Sequence, residues 1–224
     1  MIRDDTNSKD PGALRMRLSW GEDVDAVDHQ GRTALHLTAA SRNLSAVKSL
    51  LDKKSIDYDI LDQRNGTPLH VAVMGGHLVV VDLLLRQNAL VNCKDDSGNT
   101  PLWYSTSSHR DDVTERLLTE NDVDVNTVGG GRYSEPSTSL YYLARRMDIV
   151  VLRWFLIRPT LDLNICAGFR SPLRLAITEG NITVVRLLLT HNELEINARY
   201  IREDSPLYLA TERGDINVVK LLVE

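Results

Sequence analysis

Two stretches of this 224-residue sequence have side chains of the types and spacing that chemistry would need. His109-Arg110-Asp111 has the form of a kinase catalytic loop, in which the aspartate takes the proton of the attacking hydroxyl. Such a loop also needs an asparagine five residues beyond the aspartate, and that position is Arg116. Gly129-Gly130-Gly131 could offer backbone N–H groups to a phosphate, but no helix with a lysine follows it, so it reads as a flexible insertion. The six histidines show no spacing that suggests a metal site. Asn43-Leu44-Ser45 and Asn181-Ile182-Thr183 match the glycan acceptor pattern, which matters only in a secreted chain. The first twelve residues, MIRDDTNSKDPG, are polar and contain no apolar signal core. No catalytic residue, metal or cofactor is expected, and the chain is not read as an enzyme.

With 42% hydrophobic and 25% charged residues the composition is that of a globular protein. Only 12 residues are aromatic, so the core must be built from Leu, Val, Ile and Ala. Net charge is −5, and residues 1–127 carry 20 acidic against 14 basic side chains. A duplex nucleic-acid binder needs a basic footprint, so nucleic acid is not expected as a partner. No apolar run is long enough for a membrane span. Two cysteines do not make a disulfide framework, and a reducing intracellular setting, cytoplasmic or nuclear, is expected.

The elements that would position any site come from an internal repeat. TPLHVAVMGGHLVVVDLLL begins at Thr67, and related segments begin at Thr33, Thr100, Thr138, Ser171 and Ser205, at steps of 34, 33, 38, 33 and 34 residues. A second marker (Asp25, Asp59, Asn92, Asn126, Asn164, Asn197) runs in phase with steps of 34, 33, 34, 38 and 33. Two markers holding one period point to a solenoid. Each unit predicts two short helices. Thr or Ser caps the first, Pro suits its first turn, and a small residue at the sixth position allows close helix approach. Gly76, Gly180 and Gly214 end first helices. Neither helix is long enough to persist alone, so the pairs must stack.

The TPLH box, the Gly-His or Gly-Asp pair, the VVxLLL helix and the closing V-N step resemble the ankyrin repeat over residues 13–224. The resemblance implies an all-α solenoid of stacked antiparallel helix pairs, with hairpin loops projecting to one side and a concave recognition surface. The organisation expected is a polar segment at 1–12, a half repeat at 13–30, and repeats starting near 31, 65, 98, 136, 169 and 203, in one domain. Cys93 and Cys166 would lie two units apart, too far for a bridge. Neither end carries an evidently polar capping unit, so the chain is read as part of a longer protein.

Residues that the repeat leaves free are the candidates for binding. At the hairpin tips these include Arg64, Asn99, Arg170 and Arg202, and at first-helix ends Arg145, Arg146 and Arg213. Where other repeats have the box histidine, the third has Trp103 and the fourth Tyr141. Aromatics with arginines are the usual composition of interface hot spots, so Trp103, Tyr141, Arg145 and Arg146 are expected to form a central anchor. Tyr104 and Tyr142 are expected to fill core space instead. The reading is a protein–protein interaction module, monomeric, with a protein partner. A small-molecule or catalytic cleft at the aromatic centre and a structural spacer are the alternatives.

Overall fold

The computed structural model describes residues 23–131, 136–166, 171–197 and 204–224. The segment 1–12, most of the half repeat 13–30, Arg170 and Arg202 lie outside the described residues. Twelve helices of seven or eight residues alternate as first and second members of six pairs among the described residues: α1 (Ala34–Ala40) and α2 (Leu44–Leu51), α3 (Pro68–Met74) and α4 (Leu78–Leu85), α5 (Pro101–Ser107) and α6 (Asp111–Leu118), α7 (Ser139–Arg146) and α8 (Ile149–Leu156), α9 (Pro172–Thr178) and α10 (Ile182–Leu189), α11 (Pro206–Glu212) and α12 (Ile216–Val223). The chain divides into two compact units at Val123/Asp124, the first holding α1–α6 and the second α7–α12.

Local chemistry sets the helix limits. The box Thr or Ser caps every first helix by accepting the N–H three residues on, with Pro in the first turn of α3, α5, α9 and α11. In α1 and α3 the box histidine closes a reciprocal pair. His36 Nδ1 accepts from Thr33 N and His70 Nδ1 from Thr67 N, each at 3.1 Å, the role glutamate fills in an ordinary capping box. Between first and second helices the chain must turn through a left-handed residue. Gly76, Gly180 and Gly214 take it with φ of 67°, 72° and 69°, and Arg42, His109 and Met147 take it without glycine.

Packing follows from these short lengths. In the first unit α1 lies against α3 and α3 against α5, while α2 lies against α4 and α4 against α6. In the second, α7 packs on α9, α9 on α11 and α10 on α12. Leu35, Leu69, Leu102, Leu140 and Leu173, the third box position, are buried, as are Ala72, Ser105, Ala176 and Ala210 at the small position. Leu143 is fully buried where the other repeats keep a small residue. The last pair leaves Leu207, Tyr208, Ile216 and Val223 exposed. Of the triple glycine read as an insertion, Gly129 lies in a short strand. Val128–Gly129 (β1) pairs antiparallel with Ser137–Thr138 (β2), so part of the extra length is tied by a short ribbon that delivers Thr138 to its capping position.

Candidate partner-binding surface

Three hairpin tips in the first unit are built on one plan. Asp28, Asp62 and Asp95 each accept, through Oδ1, the N–H groups two and four residues on at 2.8–3.0 Å. Their own N–H groups bond the carbonyl four residues on. The turn passes through a left-handed residue, Gly31, Asn65 or Gly98. Aspartate suits this post because a short carboxylate can accept two backbone donors without leaving the turn. Burial alone would raise the Asp28 carboxyl, but the Arg32 guanidinium, 2.7 Å away, and the backbone donors hold it below the usual range.

Successive tips are joined by one backbone bond each. Gln63 N donates to Gln30 O at 3.0 Å and Asp96 N to Arg64 O at 2.9 Å. Side chains add to the row, with Gln63 Nε2 donating to His29 O at 2.8 Å and Asn65 Nδ2 to Asp96 Oδ1 at 2.6 Å. The tips therefore form a braced strip, and His29, Gln30, Arg64 and Asp96 are exposed on it. Met74, at the end of α3, is exposed as well.

Box position four makes a further connection between repeats. His36 Nε2 donates to Gly66 O at 3.1 Å and His70 Nε2 to Asn99 O at 3.2 Å. In the second unit the Arg174 guanidinium does the same to Asp204 O. In each case the acceptor precedes the next repeat's capping residue. Burial lowers the pKa of both histidines and favours the neutral ring that this geometry requires.

The second sequence marker has a matching role. Asn126 Nδ2 donates to Thr160 O at 2.6 Å while its Oδ1 accepts from Asp162 N at 2.9 Å. Asn164 repeats this with Glu193 O and Glu195 N at 2.8 and 2.7 Å. Asn92 Nδ2 donates to Asp122 O at 2.7 Å. Asp25 and Asp59 can only accept, from Asp57 N and Leu90 N. Burial raises both carboxyls, and neighbouring carboxylates add to it, Asp57 in both cases and Asp23 beside Asp25.

The expected site residues are distributed unevenly. Trp103 and Tyr141 are 7% and 5% exposed, so their rings stand in the packed interior and not in the projecting position foreseen for an anchor. The reason is the box itself, since position four points along the stack, as the histidine bonds show. Asn99 is also buried and donates to the Tyr104 hydroxyl at 3.0 Å. Tyr104 and Tyr142, expected in the core, are half-buried. The Tyr104 hydroxyl donates to Asp95 at 2.5 Å, and burial, helped by that carboxylate, pushes its pKa up to about 12. Arg145 is exposed, whereas Arg146 is largely covered and lies 3.4 Å from Asp148.

Arg213 is exposed, yet its guanidinium bonds Thr178 O at the end of the preceding first helix. Arg110 and His77 make the equivalent bonds to Met74 O and Ala40 O at 3.4 and 3.1 Å. The apparent kinase loop is thus a helix–helix turn in which Arg110 reaches the neighbouring repeat and Asp111 begins α6. These links were missed in the sequence. The only signal there was a long polar side chain in or beside the inter-helix turn.

A model of the ankyrin repeat, in three-copy form, matches residues 8–95, 54–128 and 135–224. Inversin from Canis lupus familiaris is 30% identical over 189 residues, 81% of this chain and 17% of inversin. SH3 and multiple ankyrin repeat domains protein 2 from Homo sapiens is 29% identical over 190 residues, 82% of this chain and 10% of the relative. The Nuclear factor NF-kappa-B p105 subunit from Gallus gallus is 27% identical over 197 residues, 84% and 20% of the two chains. The chain therefore spans a fifth or less of these curated relatives. Among solved structures, the human ASB11 ankyrin repeat domain superposes with a TM-score of 0.63 at 22% identity, covering 86% of this chain and 83% of that one. The Bdellovibrio bacteriovorus predatory endopeptidase Bd0816 in complex with the immunity protein Bd3460 gives 0.71 at 22% identity, with 88% and 98% covered. These two likenesses concern the fold. Ankyrin repeats generally serve as protein–protein interaction modules and are generally not enzymes. Matched over most of its length by the repeat model and built from six capped helix pairs in the described residues, the chain belongs to the ankyrin-repeat family.

Proposed function

We propose that this chain is a recognition module that binds a protein partner along the row of hairpin tips and first-helix ends, the surface expected to be concave. The observation that carries this reading is the braced strip of the first unit. Backbone bonds join the tips at Gln30–Gln63 and Arg64–Asp96, while His29, Gln30, Arg64 and Asp96 stay exposed. A surface held by its own main chain loses little conformational freedom on binding, so its side chains can be selected for a partner without cost to the fold. Met74, exposed at the end of α3, adds an apolar contact that adapts to different partners.

The buried positions of Trp103 and Tyr141 move the proposed contacts to exposed side chains, Arg64 and Met74 on the first unit, with Arg145 a separate exposed candidate on the second. We further propose that recognition takes place in the cytoplasm or nucleus by a monomer, a reducing setting in which cysteines such as Cys93 are kept as thiols.

The test is affinity capture from source-cell lysate with wild type and an Arg64→Glu/Met74→Glu variant. Both sites are exposed, so the variant should keep the wild-type helical circular dichroism. A protein retained by wild type and reduced at least tenfold on the variant is the expected result, since central interface substitutions of this kind cost about 1.4 kcal/mol or more. Equal capture by both would overturn the placement, and no specific capture by wild type would turn the reading to a spacer.

A further inference from the structure

On the second-helix side of the first unit, away from the tips, lies a groove between α4 and α6. Leu78, Val79 and Asp82 line it from α4, Asp112, Glu115 and Arg116 from α6, and Thr119 from the cap just beyond α6, around an open volume of about 440 Å³. Its wall is mostly apolar. Val79 is 50% exposed on the outer face of a helix whose Val80, Val81 and Leu84 supply the core. The stack does not require it, since the corresponding residue of α6 is the charged Asp112.

The charges of the groove are one-sided. Arg116 Nε lies 2.8 Å from Asp82 and its Nη1 2.6 Å from Glu120, so this cation is already committed within the protein. Asp82 is shared with Arg86 at 2.8 Å. Asp112 and Glu115, both exposed, have no ion pair among the described residues. An apolar floor therefore carries an acidic margin whose negative charge the protein does not balance. This surface shares no residue with the tip strip and does not depend on it.

We propose that the α4–α6 groove docks a basic amphipathic helix of a protein partner, with an apolar ridge seated over Leu78 and Val79 and lysines or arginines facing Asp112 and Glu115. The geometry suits the helix-in-groove mode, because two neighbouring helices present a channel along which a third can lie. The volume has room for a few apolar side chains, so burial supplies the affinity. The carboxylates select a basic flank and speed encounter. A small apolar molecule could fill the same space, but it would leave the acidic margin unused.

The test uses the full chain and a labelled helical peptide of about 18 residues, five turns long, with a leucine ridge flanked by lysines. A partner peptide with glutamate for every lysine controls for charge, and a scrambled peptide of equal composition controls for amphipathicity. Saturable binding of the lysine peptide alone is expected, read by fluorescence anisotropy. Val79→Asp should weaken it at least tenfold by removing the apolar floor, and the milder Val79→Ser should weaken it less. Asp112→Asn/Glu115→Gln should weaken it about fivefold and flatten its salt dependence between about 50 and 300 mM. Arg64→Glu/Met74→Glu should leave it unchanged. Absence of saturable binding overturns the proposal. So does binding that survives Val79→Asp in a folded protein, which would reduce the effect to general attraction by an acidic surface.

Discussion

At box position four the first unit has His36 and His70, each donating to the carbonyl ahead of the next box, whereas the second unit makes that bond with Arg174. At the second marker the first unit begins with Asp25 and Asp59, which only accept, whereas the second has Asn126 and Asn164, which accept and donate at once. The connections occupy the same places in the fold, but the groups making them differ in how they respond to protons. The first two repeats are joined to their successors through titratable groups. From Asn92 and Trp103 onward those two positions hold no histidine or carboxylate. The repeat demands a bond at each place, and more than one side chain can make it.

The largest expected effect separates the two regions by acid. A histidine whose pKa is lowered on folding contributes stability that is present above its unfolded value of about 6.5 and is lost as pH falls through the folded value. Charging would put a proton on Nδ1, where Thr33 N or Thr67 N already points. The hydrogen-exchange protection factors of α1–α5, taken relative to the intrinsic rate at each pH, should therefore fall below about pH 6.5, while α9–α12 hold their protection. His70→Leu should cost about 2–4 kcal/mol at neutral pH, because Asn99 O and Thr67 N lose their buried partner. It should also remove part of the acid sensitivity. Chemical denaturation at pH 7.5 and pH 5.5 checks both, and equal acid loss in the variant and wild type would erase the contrast.

Exchanging the marker residues tests the second half of the comparison. Asn164→Asp puts the first unit's group in the second and removes the donor to Glu193 O, at a cost of about 1–2 kcal/mol at neutral pH. Asp59→Asn does the reverse and should stabilise by about 1 kcal/mol or less through a new amide donor. The sign of the pH dependence follows from Asp59's raised pKa. A carboxyl raised on folding contributes stability that is full below its ordinary 3.8 and is lost as pH rises through the folded value. The advantage of Asp59→Asn is therefore greatest at neutral pH, shrinks as acid protonates wild-type Asp59, and levels off below 3.8. Melting curves from pH 7 to pH 4 read this directly, and an advantage that grew with acid would refute the burial argument.

How much of this could be read in advance depended on how local the cause was. Capping at Thr33, Thr67, Thr100, Thr138, Ser171 and Ser205 is a matter of three residues, and the boxes revealed it. The two in-phase markers gave the period, although not the reason for Asn126 or Asn164, because their partners lie 29 to 36 residues away. Trp103 and Tyr141 looked like anchors by type. Their burial comes from the direction of box position four, which composition does not record. The groove over Val79 was illegible for the same reason, since one valine in VVV looks like the next until the neighbouring helix shows which way each faces.

The smallest expected effect concerns a device that the two regions share. Arg110 in the first unit and Arg213 in the second each reach a carbonyl at the end of the preceding first helix, Met74 O and Thr178 O. Both arginines are exposed, and water can replace a lost donor at a helix end. Arg110→Ala and Arg213→Ala should therefore each cost only about 0.5 kcal/mol, near the low end for a hydrogen bond. The arginine side chains also crowd the left-handed glycines. A Cβ on Gly76 would meet Arg110, and one on Gly180 would meet Arg213, each at 2.8 Å. Arg110→Ala should thus reduce the penalty of Gly76→Ala, leaving only the cost of its positive φ, and Arg213→Ala should do the same for Gly180→Ala. Similar coupling energies from the two double-mutant cycles would mean that this link, unlike the other two, is the same on both sides of the contrast. Coupling in one unit alone would extend the difference to the inter-helix turns.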